Sequence, residues 1–312
     1  MRRSLIPILL AKPTWLPRVS GVAASIYADF ANGRYWAANA RQGDLSAWLA
    51  HLGGAFTRAD ASTCATYTGS DGLLHLAAAN VPRFDYNPVT LAFKGILLEG
   101  ASANYLSYSN TLSNAVWSES GTTTVTQNAT GPDGLTSAWT ITLNEYDVGT
   151  GHINTTLPSA NTTSTLSAWL KGTAGQTVSM LVSNAVDQQF THQFTLPTTL
   201  TRVSMTQTHN ATPGALSASL YRASATVDTA SSVIAYGFDL EGVSSASSYI
   251  PTTTAAVTRA ADALAITIPP GVGHITYTFD DASTQTVAVS PGAYTIPTTL
   301  NRPTISSLVS AA

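Results

Sequence analysis

A chain of 312 residues, 44% of them apolar, can bury a sizeable core and by its length spans about two domains. Only 10% of its residues are charged, against about 25% in an ordinary soluble domain, and its net charge is -3. That balance excludes a general polyanion-binding surface, which needs clustered cations, and the single cysteine, Cys64, excludes an internal disulfide and a thiolate zinc site.

The opening segment, MRRSLIPILLAKPTWLP, imitates a signal peptide through Arg2, Arg3 and the apolar run Leu5 to Ala11. The run is short, carries Pro7 and leads to no small-x-small cleavage pattern, so residues 1–50 read as an extended attachment arm. No run approaches the ~18 apolar residues of a membrane span, and no membrane insertion is expected. One stretch has helical periodicity. In GDLSAWLAHL, Gly43 to Leu52, the residues Leu45, Trp48, Leu49 and Leu52 share a face, and Asp44 is placed to cap the start.

Beyond it the pattern is short strands between Gly, Pro, Asn and Ser clusters. Trp139, Ile141 and Leu143 alternate with threonines, and Val178, Met180 and Val182 alternate with Thr177 and Ser179. In FTHQFTL one parity carries Phe190, His192, Phe194 and Leu196, which reads His192 as a core histidine. Ile275, Tyr277 and Phe279 alternate with Thr276 and Thr278. Successive strand side chains point to opposite faces, so each segment has one core face and one hydroxyl face. Residues 51–262 hold most of these strands, and Pro269, Pro270 and Gly271 break the chain before a small terminal unit within 263–312, where Asp280 to Ser283 reads as a hairpin turn. The expected fold is all-β: an antiparallel sandwich with an N-terminal arm and a C-terminal hairpin unit.

Two segments echo each other. ILLEGASANYLSYS (Ile96 to Ser109) resembles FDLEGVSSASSYIPT (Phe238 to Thr252), and FTRADAS (Phe56 to Ser62) resembles VTRAADA (Val257 to Ala263). Too few for a solenoid, they read as equivalent strand ends bracketing the main domain. The echo sets Glu99 and Glu241 in matching places, with Arg58 and Arg259 as structural ion-pair partners.

The stretches FTRADASTCATYTGSDGLLHLAAANVPRFDYNPVT, GILLEGASANYLSYSNTLSNAVWS, GPDGLTSAWTI and SYIPTTTAAVTRAAD together resemble head-spike, head-fibre and tail-fibre proteins of tailed phages and gene transfer agents. So does the terminal YTFDDASTQTVAVSPGAYTIPTTLNRPTISSL. Where that family pattern carries Arg-Thr-Asn, this chain has Ser102, Ala103 and Asn104. The resemblance implies a carbohydrate-binding-module-like jelly roll in the centre and a place on the virion. It also implies other virion proteins as partners, a homotrimer, and contact with host-surface polysaccharide. A structural calcium held by Asp133 or Asp147 would be in keeping with it, although both also read as ordinary turn aspartates; no other cofactor, and no nucleic acid, is implied.

For glycan contact the candidates are aromatics on hydroxyl faces, since a rigid ring offers contact area to the apolar face of a sugar. In STLSAWLKG, Leu166, Ala168 and Leu170 share one parity, and Trp169 takes the other with Ser167 and Lys171. Trp169 therefore stands either as a platform or beneath a covering loop. Tyr221 and Tyr236 are further candidates, while Trp117 and Trp139 read as core. The glutamates are Glu99, Glu119, Glu145 and Glu241 alone, and no spacing marks a catalytic carboxylate pair, so no enzyme is expected. Attachment through glycan leads. A purely structural neck, tail or capsid decoration role stands second, and a glycan depolymerase last.

Overall fold

The computed structural model describes residues 13–19, 22–37, 39–60, 63–146, 148–157, 162–184, 190–209, 215–224 and 226–311. Among these described residues, twenty-seven strands and one helix make up the regular structure. The chain divides into two compact units. A sandwich unit comprises Ala59–Ala79 and Gly100–Ala261, and a flanking unit comprises Met1–Arg58, Asn80–Glu99 and Asp262–Ala312.

The sandwich unit is built on two five-stranded antiparallel sheets. One runs Thr124–Ala129, Ala138–Thr142, Ser232–Glu241, Thr163–Lys171, Thr201–Thr208. The other runs Trp117–Glu119, Val148–Thr156, Ala215–Arg222, Thr177–Asn184, Phe190–Thr195. Counting the eight strands from Ala138 to Glu241 in chain order, the sheets read first-eighth-third-sixth and second-seventh-fourth-fifth. That interleaving is the jelly roll. The inward parities are the apolar ones. Ile141, Leu166, Ala168, Leu170, Val178, Met180, Val182, Leu216, Ala218 and Leu220 are fully buried in one cluster with Trp117 and Trp139. At about 25 cal/mol per Å² of apolar area removed from water, this cluster is the main source of the unit's stability.

One irregularity shapes the first sheet. The register between Thr163–Lys171 and Ser232–Glu241 shifts between Ser167 and Trp169, opposite Gly237, which sits at φ +63. A bulge there flips the parity, so Val233 and Ala235 before it and Phe238 and Leu240 after it all reach the core. Glycine takes this left-handed conformation without steric cost, and a Cβ would meet the Trp169 and Tyr249 rings at 3.2 Å.

His192 departs from the expectation. It lies opposite buried Met180, as its parity requires, yet it is exposed and stacks 4.5 Å from Phe194. Phe190–Thr195 is the sheet's edge strand, and among the described residues no further strand pairs with it.

In the flanking unit, an eight-stranded sheet and the three-stranded sheet Gly292–Thr295, Ala263–Ile268, Ala55–Thr57 enclose a second core that includes Ile26, Trp48, Leu264, Ile275, Tyr277 and Leu308. The helix spans Leu45–His51; Asp44 caps it by accepting from the Ala47 amide at 2.8 Å, and Trp48 and Leu49 are buried as the periodicity required. The hairpin turn at Asp280 to Ser283 joins His274–Phe279 to Thr284–Ala288. The expected arm of residues 1–50 and the expected separate unit of 263–312 are corrected here. Ile26–Asp29 pairs with Thr304–Ala311, so described residues of both ends share one sheet and one core. Strands so far apart along the chain leave no local signal of their pairing.

Candidate functional site

Both outer faces of the sandwich carry candidate residues. On the first sheet Trp169 points outward, as its parity predicted, and it is half-buried. It is not an open platform. Its ring centroid lies 5.7 Å from Tyr236 and 5.6 Å from Tyr249, both edge-on, and the Arg202 guanidinium sits 5.0 Å over it. Tyr236 and Tyr249 are themselves buried, in a small cluster with Ala138 that Leu74 also packs against. Burial pushes both tyrosine hydroxyls above their ordinary value.

Beside the rings lies a buried polar group. Arg202 donates to Ser167 Oγ at 2.8 Å and to Asp239 Oδ2 at 3.2 Å, and Asp239 Oδ2 also accepts from the Ile250 amide at 3.1 Å. Burial holds the Asp239 carboxyl well above the usual range, and the Glu241 charge adds to this; Arg202, the Ile250 amide and Arg259 pull it back. Glu241 accepts from Ser102 Oγ at 2.5 Å, from Ser247 Oγ at 2.5 Å and from the Ser247 amide at 2.8 Å. Ser102, standing where the family resemblance expects arginine, is thus a partner of Glu241.

The second sheet presents a different surface. Cross-strand register aligns Gly149, Tyr221, Ser179 and Gln193 in one row, and Gly151, Ser219, Leu181 and Thr191 in the next. Tyr221 is half-buried, and its hydroxyl meets Thr191 Oγ1 at 3.0 Å. Thr191 lies two strands away, about 10 Å at ordinary strand spacing, so the ring must lie across the intervening Thr177–Asn184 strand. Gly149 makes room for it, since a Cβ there would come within 2.4 Å of Tyr221 Cβ. Thr191 and Gln193 are exposed, and Ser217 and Ser219 half-buried. The result is an uncharged face of hydroxyls, the Gln193 amide and Leu181, with the Tyr221 side chain reaching across it.

The acidic echo residues Glu99 and Glu241 are buried and bonded within the protein. In the flanking unit Glu99 pairs with Arg83 at 2.8 Å, and Arg58 with Asp262 at 3.2 Å. Arg83 is thus a partner of Glu99, and Asp262 is an acid that Arg83 and Arg58 share. In the sandwich unit Arg259 is buried in register with Ser102, the serine that donates to Glu241. Asp133 Oδ1 accepts from the Leu135 amide at 3.1 Å and from Ser137 Oγ at 2.6 Å, the bonding of a turn aspartate; Asp147 lies outside the described residues. Sequence reasoning missed Arg83, Arg202, Asp239, Tyr249 and Asp262. Only Asp262 had a signal, as the acid closing VTRAAD, the echo of FTRAD.

No protein-family profile and no curated protein matches the sequence. Among solved structures, the chain is similar to the enzymatically active domain of tailspike protein 4 of bacteriophage CBA120, at 10% identity and a TM-score of 0.34, over 44% of this chain and 21% of that one. It is similar to TmCBM61, solved in complex with β-1,4-galactotriose, at 16% identity and a TM-score of 0.34, over 44% of this chain and 97% of that one. A third likeness is to the CBM22-1 and GH10 modules of Clostridium thermocellum xylanase 10B, complexed with xylohexaose, at 12% identity and a TM-score of 0.34, over 50% of this chain and 30% of that one. The match thus spans about a fifth of the tailspike chain.

Proposed function

We propose that this chain is a surface subunit of a phage-like particle whose jelly roll contacts host-surface glycan through the face that carries Tyr221. The observation that carries the reading is the Tyr221 side chain, which reaches across a neutral face of serines, threonines, Gln193 and Leu181 to the Thr191 hydroxyl. A pyranose offers an apolar face to stack and equatorial hydroxyls to exchange hydrogen bonds, and this surface offers both complements without a charge to desolvate. The order of spike- and fibre-like motifs along the chain supports the virion setting, the other virion proteins as neighbours and the homotrimer.

The enclosure of Trp169 favours a second reading, a decoration subunit that binds no ligand. On that face the aromatics pack against one another and Arg202, and they stabilise the unit. Neither reading assigns the chain a catalytic step.

The test is binding of the purified protein to host cells, with isolated surface polysaccharide as competitor. Binding that the polysaccharide blocks and Tyr221→Ala weakens at least fivefold supports the glycan reading. Absence of binding by well-folded wild-type protein leaves the structural one.

A further inference from the structure

The flanking unit carries a second aromatic cluster, on the outer face of its large sheet. Register sets Val309, Tyr27, Trp36 and Arg41 in one row across four strands, and Arg34 lies two residues from Trp36 on the same face. Trp36 and Leu16 are buried here, and half-buried Trp15 packs over them. The Trp15 ring lies 6.0 Å from Tyr27 at a tilt of 36° and 6.4 Å from Trp36, edge-on. The guanidinium carbons of Arg34 and Arg41 are each 5.9 Å from the Trp15 centroid.

Neither arginine has an ion pair or a hydrogen bond among the described residues. Others are engaged: Arg58, Arg83, Arg202 and Arg302 meet carboxylates, and Arg222 donates to the Leu143 carbonyl. The neighbouring acid, Asp29, is buried and accepts from the Asn32 amide at 3.1 Å and Asn32 Nδ2 at 2.8 Å. Two like charges are therefore held about one indole, where they repel each other, and Asp29, in register with Arg34, is already engaged by Asn32 and by the Tyr27 hydroxyl at 3.4 Å. In a chain that is only 10% charged, this is a marked concentration of cation and ring.

We infer that this face binds an acidic saccharide, a sugar ring that bears a carboxylate. Each guanidinium presents a planar fork of N–H donors that fits a carboxylate in two parallel bonds, and half-buried Trp15 between them offers apolar contact at its exposed edge to the sugar ring. A nucleic-acid strand would need a track of cations along its phosphates, which two arginines in a chain of net charge -3 do not provide. The site belongs to the flanking unit and stands whether or not the Tyr221 face binds glycan.

The test is calorimetric titration of the full chain with tetragalacturonate, with its fully methyl-esterified form, and with tripolyphosphate. Tetragalacturonate should bind at least tenfold more tightly than either control. The Arg34→Gln/Arg41→Gln double substitution should weaken that binding tenfold or more with melting unchanged. Arg41→Gln, which alters an exposed side chain alone, should weaken it by a smaller factor, and Tyr221→Ala should leave it as it is. The inference is overturned if tetragalacturonate does not bind, if the ester or tripolyphosphate binds as well, or if Arg41→Gln has no effect.

Discussion

Arg83 donates to Asp262 over 2.5 Å with both side chains closed to solvent. The same carboxylate takes Arg58 at 3.2 Å and the Glu99 amide at 2.9 Å, and Glu99 returns a second acid to Arg83 at 2.8 Å. Burial disfavours the charged Arg83, but Glu99 and Asp262 outweigh it and hold the guanidinium above its ordinary value. Removing one member of such a group leaves buried charge uncompensated. Asp262→Asn should cost about 3–5 kcal/mol in denaturant unfolding, and Asp262→Ala no less. A loss under 1 kcal/mol would show the group to be solvated.

His152 gives a pH signature. It is buried against Trp117, ring centroids 5.2 Å apart, and its Nε2 meets Ser107 Oγ at 3.2 Å. Burial lowers its pKa below 6.5, and the contact with Ser107 opposes this only in part. The unfolded chain therefore binds the proton more readily than the folded one. The stability contributed by neutral His152 is complete above about pH 6.5 and is lost as pH falls through the depressed folded value. Between pH 8 and pH 5 the wild type should lose more melting temperature than His152→Gln; parallel melting curves would contradict this.

Gly237→Ala should destabilise the sandwich by about 1–3 kcal/mol. It places a Cβ at φ +63 and 3.2 Å from two aromatic rings. Thermal melting in parallel with Gly175→Ala separates the two causes. Gly175 sits at φ +79 with open space around it, so that variant should lose only the conformational part, about 1 kcal/mol.

Trp169 and Tyr221 should separate stability from binding. Trp169→Ala empties a pocket walled by Tyr236, Tyr249 and Arg202, and should cost about 2–3 kcal/mol in unfolding experiments. Tyr221→Ala removes an outward ring and should cost under about 1 kcal/mol while reducing glycan binding. Equal losses of stability would place both rings in structural roles.

Local patterns carried much of this fold. Alternation placed Leu166, Ala168 and Leu170 inside and Trp169 outside, and the face of Leu45, Trp48 and Leu49 with its Asp44 cap placed the helix. Parity could not show that Tyr249, eighty residues further on, closes over Trp169. Nor could it show that Tyr221 reaches Thr191, because a side chain's tilt across a sheet leaves no trace in periodicity. The echo located the acidic and basic groups but not the part Arg83 takes among them, since Arg83 lies outside both echoed segments. Contacts between distant strands decided what the local pattern left open.

The flanking unit closes its own chain breaks. Where the chain departs after Arg58 and re-enters at Asn80, the Asn80 amide donates to the Arg58 carbonyl at 3.1 Å and the Arg58 amide to Asn80 Oδ1 at 3.0 Å. Where it departs after Glu99 and re-enters at Asp262, the Asp262 amide donates to the Glu99 carbonyl at 2.9 Å. Each excursion thus begins and ends at neighbouring, hydrogen-bonded residues, as the stem of a loop does. Such a stem sets no length for what hangs from it. The jelly roll is in this sense a replaceable cassette: splicing at these two seams could exchange one module for another while the hydrogen bonds that close the flanking unit stay in place.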